Sequence, residues 1–285
     1  MERGSGEMGH LLKTEEKTYD LSKQTLVMGI LNVTPDSFSD GGLYNNVDAA
    51  VNQAIQMERD GAHIIDIGGE STRPGHDPIS EREEIDRVIP IIKAVKKAVD
   101  IPISIDTFKA EVASQATAAG ASIINDIWGA KAEPAIAKVA ARCGVPMILM
   151  QNRPKKDYSS LIEDMKADLR ESILIAEQSG VKNENIILDP GIGFAKTAED
   201  NLFVMRNLSE FHELGYPLLL GSSRKSFIGK VLDLPKDDRI EGTGATVCYA
   251  ISQGVQIVRV HDVKPMVRMT KMMDAMLGKG ETNNG

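Results

Sequence analysis

Residues 28–42 read MGILNVTPDSFSDGG, a short apolar run that stops at Asn32 and opens into a polar segment. The run from Leu26 to Leu31 is too short for a helix and is bounded by polar residues, which favours a fully buried strand. Thr34, Pro35, Asp36, Ser37, Ser39, Asp40 and two glycines are loop chemistry. Phe38 is the exception: an aromatic in so polar a loop either folds under as an anchor or covers something that binds. Taken alone, the stretch reads as an ordinary strand-to-helix connection with one packed Phe.

The same grammar recurs outward from that strand. Residues 46–60 place Val47, Ala50, Val51, Ala54, Ile55 and Met57 at spacings near three and four, an amphipathic helix closed by Asp60-Gly61. An apolar run over 63–68 follows, then a helix over 81–99 with Ile85, Val88, Ile89, Ile92, Val95 and Val99 on one face. Further strands are predicted at 102–106, 122–125, 146–150, 185–189, 217–220 and 256–260. Helices are predicted at 110–119, 134–143, 158–179, 199–214 and 264–277, with two pieces inside 226–253 broken near Pro235. Eight strand and helix pairs without a large interruption specify an α/β fold, a (β/α)8 barrel in a single domain. A doubly wound open sheet is the alternative, but the first strand is not followed by the GxGxxG turn of a dinucleotide fold. The 285 residues fit one such barrel, which typically runs to about 250. Residues 1–20 read as a flexible arm or expression scar, 21–278 as the barrel and 279–285 as a flexible tail.

Composition narrows the function classes. A hydrophobic content of 42% with 26% charged residues is that of a soluble globular chain with a sizeable core. The net charge of -8 argues against a general nucleic-acid or anionic-membrane surface, while leaving room for a local basic pocket. No segment has the roughly 18 uninterrupted apolar residues of a membrane span. Cys143 and Cys248 read as small buried residues of a reducing, cytoplasmic compartment, and no Cys/His spacing indicates a structural metal.

In a barrel the active site lies at the carboxyl ends of the strands. Those ends are polar here: Asn32, Asp66 with Gly68, Asp106, Asn125 with Asp126, Asp189, the segment Ser222 to Lys225, and Arg259 with His261; Met150 is the apolar exception. So many carboxylates and amides at one mouth would cost too much desolvation unless they bond to one another or to a ligand. A strand-ending Asp or Asn also caps the next helix, a role open to Asp106-Thr107 and Asn125-Asp126 alike. Asp66 has the plain reading of a backbone-binding carboxylate. Lys225 at a helix start opposes the macrodipole, which weakens a purely structural role. Arg259 and His261 alternate along the last strand and share a face, the makings of an anion clamp, although His261 alone could be a satisfied core histidine. The loop GGESTRPG (68–75) permits close backbone approach and offers donors at Thr72 and Arg73, or is a solvated loop with Arg73 paired to a Glu.

Two loops and six strand ends together resemble the dihydropteroate synthase family, which joins 4-aminobenzoate to a pterin in folate synthesis. GILNVTPDSFSDGG and DIGGESTRPG resemble its first two signatures, and ISIDTFK, IINDIWG, LDPGIGF, GSSRKSFIG and VRVHDV follow in the family's order. The resemblance implies a pterin pocket of Asp106, Asn125, Asp189 and Lys225, walled by Met150 and Ile127, with Arg259 over the ring face. It implies pyrophosphate held by Asn32, Arg259 and His261, with Mg2+ bridging the phosphates and the Asn32 oxygen. The first loop with Phe38 and Asp40, and the second with Thr72, Arg73 and Pro74, would close to form a 4-aminobenzoate pocket with Phe194, Lys225 and Ser226. Asp106, Lys225, Arg259, His261 and Asp40 are the implied catalytic set. A homodimer and a sulfonamide target are implied likewise. One departure follows strand five, where the family commonly shows Met-His and this chain has Met150-Gln151. A methyltransferase using methyltetrahydrofolate would share the pterin residues but has no need of the pyrophosphate clamp. A barrel that binds pterin without catalysis would lack a site residue, and none is missing.

Overall fold

In the computed structural model, residues 11–33, 43–70 and 78–280 are described. The wall consists of β3 (Leu26–Asn32), β4 (Ile64–Gly68), β5 (Ile103–Asp106), β6 (Ile123–Asp126), β7 (Met147–Met150), β8 (Ile186–Asp189), β9 (Leu219–Leu220) and β10 (Ile257–Val260). All are parallel, in the order β8-β7-β6-β5-β4-β3-β10-β9. The parallel bridge Leu188 to Leu218 joins the two ends of that order and closes the barrel. Alternation along each strand divides the side chains between two cores. Outward residues such as Val27, Leu31, Ile65, Ile67, Ile105 and Leu149 pack beneath the helices. Inward residues Leu26, Met28, Ile64, Ile123, Ile148, Ile187, Leu219 and Ile257 form a separate cluster inside the barrel. Parallel strands covered on both faces read as continuous apolar runs, which is why they are legible in the sequence.

The outer layer is α1 (Leu43–Arg59), α2 (Glu81–Lys96), α3 (Ala110–Ala119), α4 (Ala135–Cys143), α5 (Leu161–Gln178), α6 (Ala198–Arg206), α7 (Ser226–Leu232), α8 (Ile240–Ser252) and α9 (Val263–Met276). Local chemistry sets their ends. Ser80 caps α2 by accepting from Glu83 N at 3.2 Å, with Glu81, Glu83 and Glu84 in the first turn. Thr197 and Asp200 form a reciprocal capping box on α6. The expected break near Pro235 separates α7 from α8.

The structure corrects several expectations. Residues 11–20 are not a loose arm: β1 (Leu11–Lys13) and β2 (Thr18–Asp20) form an antiparallel hairpin. Its Leu12 and Tyr19, with Leu21, are buried in the inner cluster and seal the amino end of the barrel. Tyr19 Oη donates to the His63 carbonyl at 2.8 Å, and Glu16 accepts from Ser122 Oγ at 2.8 Å while pairing with Lys96. The helix expected over 199–214 is α6 followed by a 3-10 turn, Leu208–Leu214, with the break at Asn207, whose side chain bonds Phe203 O. Cys143 is exposed and Cys248 half-buried, so neither is a core residue. Residues 1–10 and 281–285, expected as flexible ends, lie outside the described residues. Among the described residues no helix is long and apolar enough to cross a membrane.

Candidate active site

Above the apolar layer, the next inward residue of most strands is polar. The register places Asn32 beside Gly68, Gly68 beside Asp106 and Asp106 beside Asn125. Met150 lies beside Asp189 on the far wall. Arg259 enters lower, opposite Met28, so its long side chain rises from below the mouth.

Arg259 organises this layer. Its Nε donates to Asp66 Oδ2 and its Nη2 to Asp106 Oδ2, both at 2.6 Å, and Asn125 Nδ2 reaches Asp66 Oδ2 at 3.2 Å. Breaking such a buried array by removing one partner is costly, because it leaves an uncompensated charge. Burial alone would lower the affinity of Arg259 for its proton, but the carboxylates of Asp66 and Asp106 outweigh it and hold the guanidinium firmly charged. Burial pushes Asp106 well above the usual carboxylate range against the opposing charge of Arg259. Of the four buried side-chain oxygens without a partner among the described residues, two, Asp66 Oδ1 and Asp106 Oδ1, belong to this array. Buried acceptors in that condition call for a donor from a ligand or solvent.

The opposite wall is built by Asp189, Phe194 and Lys225. Asp189 Oδ1 accepts from Gly191 N at 2.7 Å, and burial raises the carboxyl to about 6. Lys225, the residue preceding α7, lies over the Phe194 ring with Nζ 4.1 Å from the centroid. Burial lowers Lys225 to about 8, helped by Arg259 and opposed by Asp189 and Asp106. Gly193 makes this approach possible: its φ is +88°, and a Cβ there would lie 2.8 Å from Lys225 Cδ. Arg239 fixes the backbone beneath by donating from Nη1 to the carbonyls of Arg224 (3.0 Å) and Lys225 (3.3 Å).

His261 follows Arg259 on the same face. Its Nδ1 lies 3.0 Å from Ser223 Oγ, which also accepts from His261 N at 3.1 Å. A hydroxyl donating to Nδ1 leaves Nε2 as the ring donor. Burial lowers His261 to about 3, with Arg259 and Arg224 acting in the same direction, so it reaches the mouth neutral rather than as a cation. Arg224 in turn pairs with Asp262 at 2.6 Å.

The structure thus brings together Asp106, Asn125, Met150, Asp189, Lys225, Arg259 and Phe194, with Asn32 and His261 at the rim and Ile127 half-buried beside Asp126. Ser226 is exposed at the start of α7. Phe38, Asp40, Thr72, Arg73 and Pro74, expected at the site, lie outside the described residues. The stem of the second loop is described: Lys109 Nζ binds Glu70 at 2.5 Å, Glu84 at 2.6 Å and the Ile79 carbonyl at 2.9 Å, and Arg87 donates to Gly69 O. The capping reading fails for both carboxylates: Asp126 accepts from Trp128 N and Ala130 N in the turn after β6, while α4 begins after Pro134 with no side-chain cap, and Asp106 pairs with Arg259. Asp66 corrects the backbone-binding reading; strand alternation from Ile64 was the signal that aimed it inward with Asp106. Lys196, buried with its Nζ 2.5 Å from Gln151 Oε1, was missed, and no local pattern marks it.

The family described as pterin binding enzyme matches residues 28–261. The chain is 60% identical over 275 residues to the dihydropteroate synthase of Bacillus subtilis, covering 96% of each. A solved dihydropteroate synthase from Clostridium difficile, in the presence of pteroic acid, superposes with a TM-score of 0.89 at 49% identity, covering 90% of this chain and 98% of that one. The Xanthomonas albilineans dihydropteroate synthase with 4-aminobenzoic acid gives 0.90 at 37% identity, covering 95% and 99%.

Proposed function

The chain belongs to the pterin-binding enzymes and, within them, to the dihydropteroate synthase family; on that premise we propose that it joins a dihydropterin methyl pyrophosphate to 4-aminobenzoate, giving dihydropteroate and pyrophosphate. The observation that carries this reading is the pair of buried, donorless oxygens on Asp66 and Asp106 beside Asn125 and Asp189. A pterin edge is rich in N–H donors. Asp189 can take two parallel hydrogen bonds from an amino group and its neighbouring ring nitrogen, Asn125 supplies a donor and an acceptor, and Lys225 donates to the ring carbonyl. Met150 and Ile127 serve as apolar walls, and Arg259 presents its remaining N–H groups toward the ring and the pyrophosphate.

The reaction is a substitution at the pterin methylene. The C–O bond to pyrophosphate breaks with its electron pair, positive charge develops on the methylene and ring, and the arylamine nitrogen forms the new C–N bond before losing a proton to the departing pyrophosphate. Asp106 stands where it stabilises that positive charge, while Arg259 and the neutral His261 donate to the leaving group. No protein nucleophile is needed. Phe194, Lys225 and Ser226, together with Phe38, Thr72, Arg73 and Pro74, form the 4-aminobenzoate side, and Asp40 acts during turnover.

The donor set fits Mg2+ in one way. Asn32 offers a single amide oxygen and the Asp66 and Asp106 carboxylates are committed to Arg259, so the residues suit an ion that keeps most of its waters and binds with the phosphates. Bound there, it supplies charge neutralisation for the leaving group. Pyrophosphate release from both substrates, with and without Mg2+, tests the proposal; binding without release would overturn it, and methyl transfer instead would select the methyltransferase reading.

We also propose a homodimer, supported by the exposed apolar side chains of Tyr249, Met272 and Met276 on α8 and α9. A monomer at all concentrations in sedimentation would overturn that. The free thiols of Cys143 and Cys248 support a cytoplasmic setting, and the net charge of -8 supports neither nucleic-acid nor membrane partners.

A further inference from the structure

The connection from β8 to α6, residues 190–197, carries Phe194 against Lys225 on a strained backbone. Gly191, Gly193 and Ala195 all have positive φ, at 70°, 88° and 45°. The alanine is the costly member, because a side chain disfavours that conformation. Phe194 N donates to Gly191 O at 3.1 Å within the turn, and two side chains hold the rest: Asn201 Oδ1 accepts from Gly193 N at 2.7 Å, and Lys196, itself in the turn, binds the Gly191 and Phe194 carbonyls.

Lys196 is 5% exposed, and its three ammonium hydrogens have three acceptors. Nζ lies 2.5 Å from Gln151 Oε1, 3.1 Å from the Gly191 carbonyl and 3.1 Å from the Phe194 carbonyl. All three are neutral, and among the described residues no carboxylate forms an ion pair with it. Burial lowers this lysine to about 7, with the more distant charges of Asp189, Asp168 and Asp200 opposing. A buried ammonium without an ion pair is an expensive way to fill space that a methionine would fill for less. Its specific contribution is the three-way clamp.

The other end of the clamp is rigid. Gln151 is fully buried at the end of β7; its Nε2 donates to Asp168 Oδ2 at 2.8 Å and to Tyr158 Oη at 3.1 Å, and its backbone N donates to Asp189 O. Arg153 Nε donates to the same Asp168 oxygen at 2.6 Å. A bond from Lys196 to Gln151 therefore references the turn to the barrel wall. No atom of Lys196 lines the mouth in these bonds; what it holds is the carbonyl of the residue whose ring supports Lys225.

We propose that Lys196 is a positioning residue for the 4-aminobenzoate half of the reaction, its ammonium tying Gly191 and Phe194 to Gln151 and thereby setting the Phe194 ring against Lys225. This rests on the assignment of Phe194 to the 4-aminobenzoate pocket made above. The turn also carries the Gly191 N–H that binds Asp189, but that bond is local and spans two residues, so the pterin edge depends on the clamp far less than Phe194 does.

Steady-state kinetics on Lys196→Met, Phe194→Ala and the double variant, with pterin pyrophosphate affinity measured by titration, test this. The expected result for Lys196→Met is a KM for 4-aminobenzoate raised about tenfold, with kcat and pterin affinity within about threefold of the parent. Phe194→Ala is expected to raise the same KM, and the double variant to be no worse than Phe194→Ala alone, as for two residues acting through one contact. Fully additive effects in the double variant would overturn the proposal, as would parallel losses of kcat and pterin affinity in Lys196→Met. A KM raised by Phe194→Ala and untouched by Lys196→Met would overturn the positioning role while leaving the pocket intact. No effect of Phe194→Ala would overturn the pocket assignment and the positioning role with it. Should Lys196→Met fail to fold, Lys196→Gln, which keeps one donor to the turn, is read by the same split, and an unchanged KM there counts against the proposal.

Discussion

The two ends of the barrel interior are built from the same strands and differ in everything else. At the amino end, Ile64, Ile123, Ile187 and Ile257 meet Leu12, Tyr19 and Leu21 in a sealed apolar plug. Two residues further along those strands, about 6.6 Å away, stand Asp66, Asn125, Asp189 and Arg259. The plug lets the mouth carry a charge array that would not hold together by itself. Stability is vested in one layer and chemistry in the next, and each strand contributes to both.

The largest expected effect comes from removing the cation at the centre of the mouth. Arg259→Met leaves Asp66 and Asp106 buried and unpaired, a loss of about 3–5 kcal/mol at neutral pH together with most of the activity. Burial already raises the Asp106 carboxyl and Arg259 opposes that rise, so without the guanidinium it stands further above its unfolded value and the folded state binds more protons. The variant should therefore recover stability as pH falls toward about 4, the unfolded carboxylate value. Thermal melts across pH would show this; a pH-independent loss would break the account of the array.

One layer down the pattern inverts. Ile123→Ala should cost about 2–5 kcal/mol through the cavity it leaves, with KM values close to the parent. Calorimetry paired with kinetics makes the comparison, and a kinetic defect larger than the stability defect would erase the division between layers. Lys225→Ala is a smaller change, weakening pterin binding by about 1–3 kcal/mol because a partner is left unsatisfied. Unchanged affinity by titration would remove Lys225 from the pocket.

The pH dependence of the parent sharpens the contrast further. Burial raises Asp189 to about 6, so its contribution to the free enzyme's stability is present at low pH and is lost as pH rises toward 6 and beyond. Pterin binding requires the ionised carboxylate, so affinity should move oppositely, increasing between about pH 5 and 7. Affinity that falls over that range would contradict the assignment of Asp189 as an acceptor. Smallest of all, Tyr19→Phe removes the bond to the His63 carbonyl and should cost about 1 kcal/mol with no kinetic effect. A kinetic change there would mean that the plug and the mouth are coupled.

Much of the barrel was legible because its strands are buried on both faces. Ile186 to Asp189 is a continuous apolar stretch ended by a polar residue, and Ile64 to Gly68 is interrupted only by Asp66. Asp106, Asn125, Asp189 and Arg259 were visible as strand ends, and their meeting in the fold matches that reading. The amino-terminal hairpin was not legible: its strands have three residues each, and what orders them is Leu12 and Tyr19 seated among residues drawn from the whole barrel. The helix expected through Asn207 stops there, where the Asn207 side chain donates to the Phe203 carbonyl one turn back, a competition that periodicity does not register.

The sequence by itself determined the alternation, the count of eight and the polar rim, because each depends on contacts between near neighbours and on a period that repeats. Only the tertiary structure decided which rim residues act together. Arg259 binds Asp66 across 193 positions and Asp106 across 153, and Lys196 reaches Gln151 across 45. Such pairings exist only once the barrel closes, since closure brings the first and last strands side by side and the burial that follows turns modest attractions into strong ones.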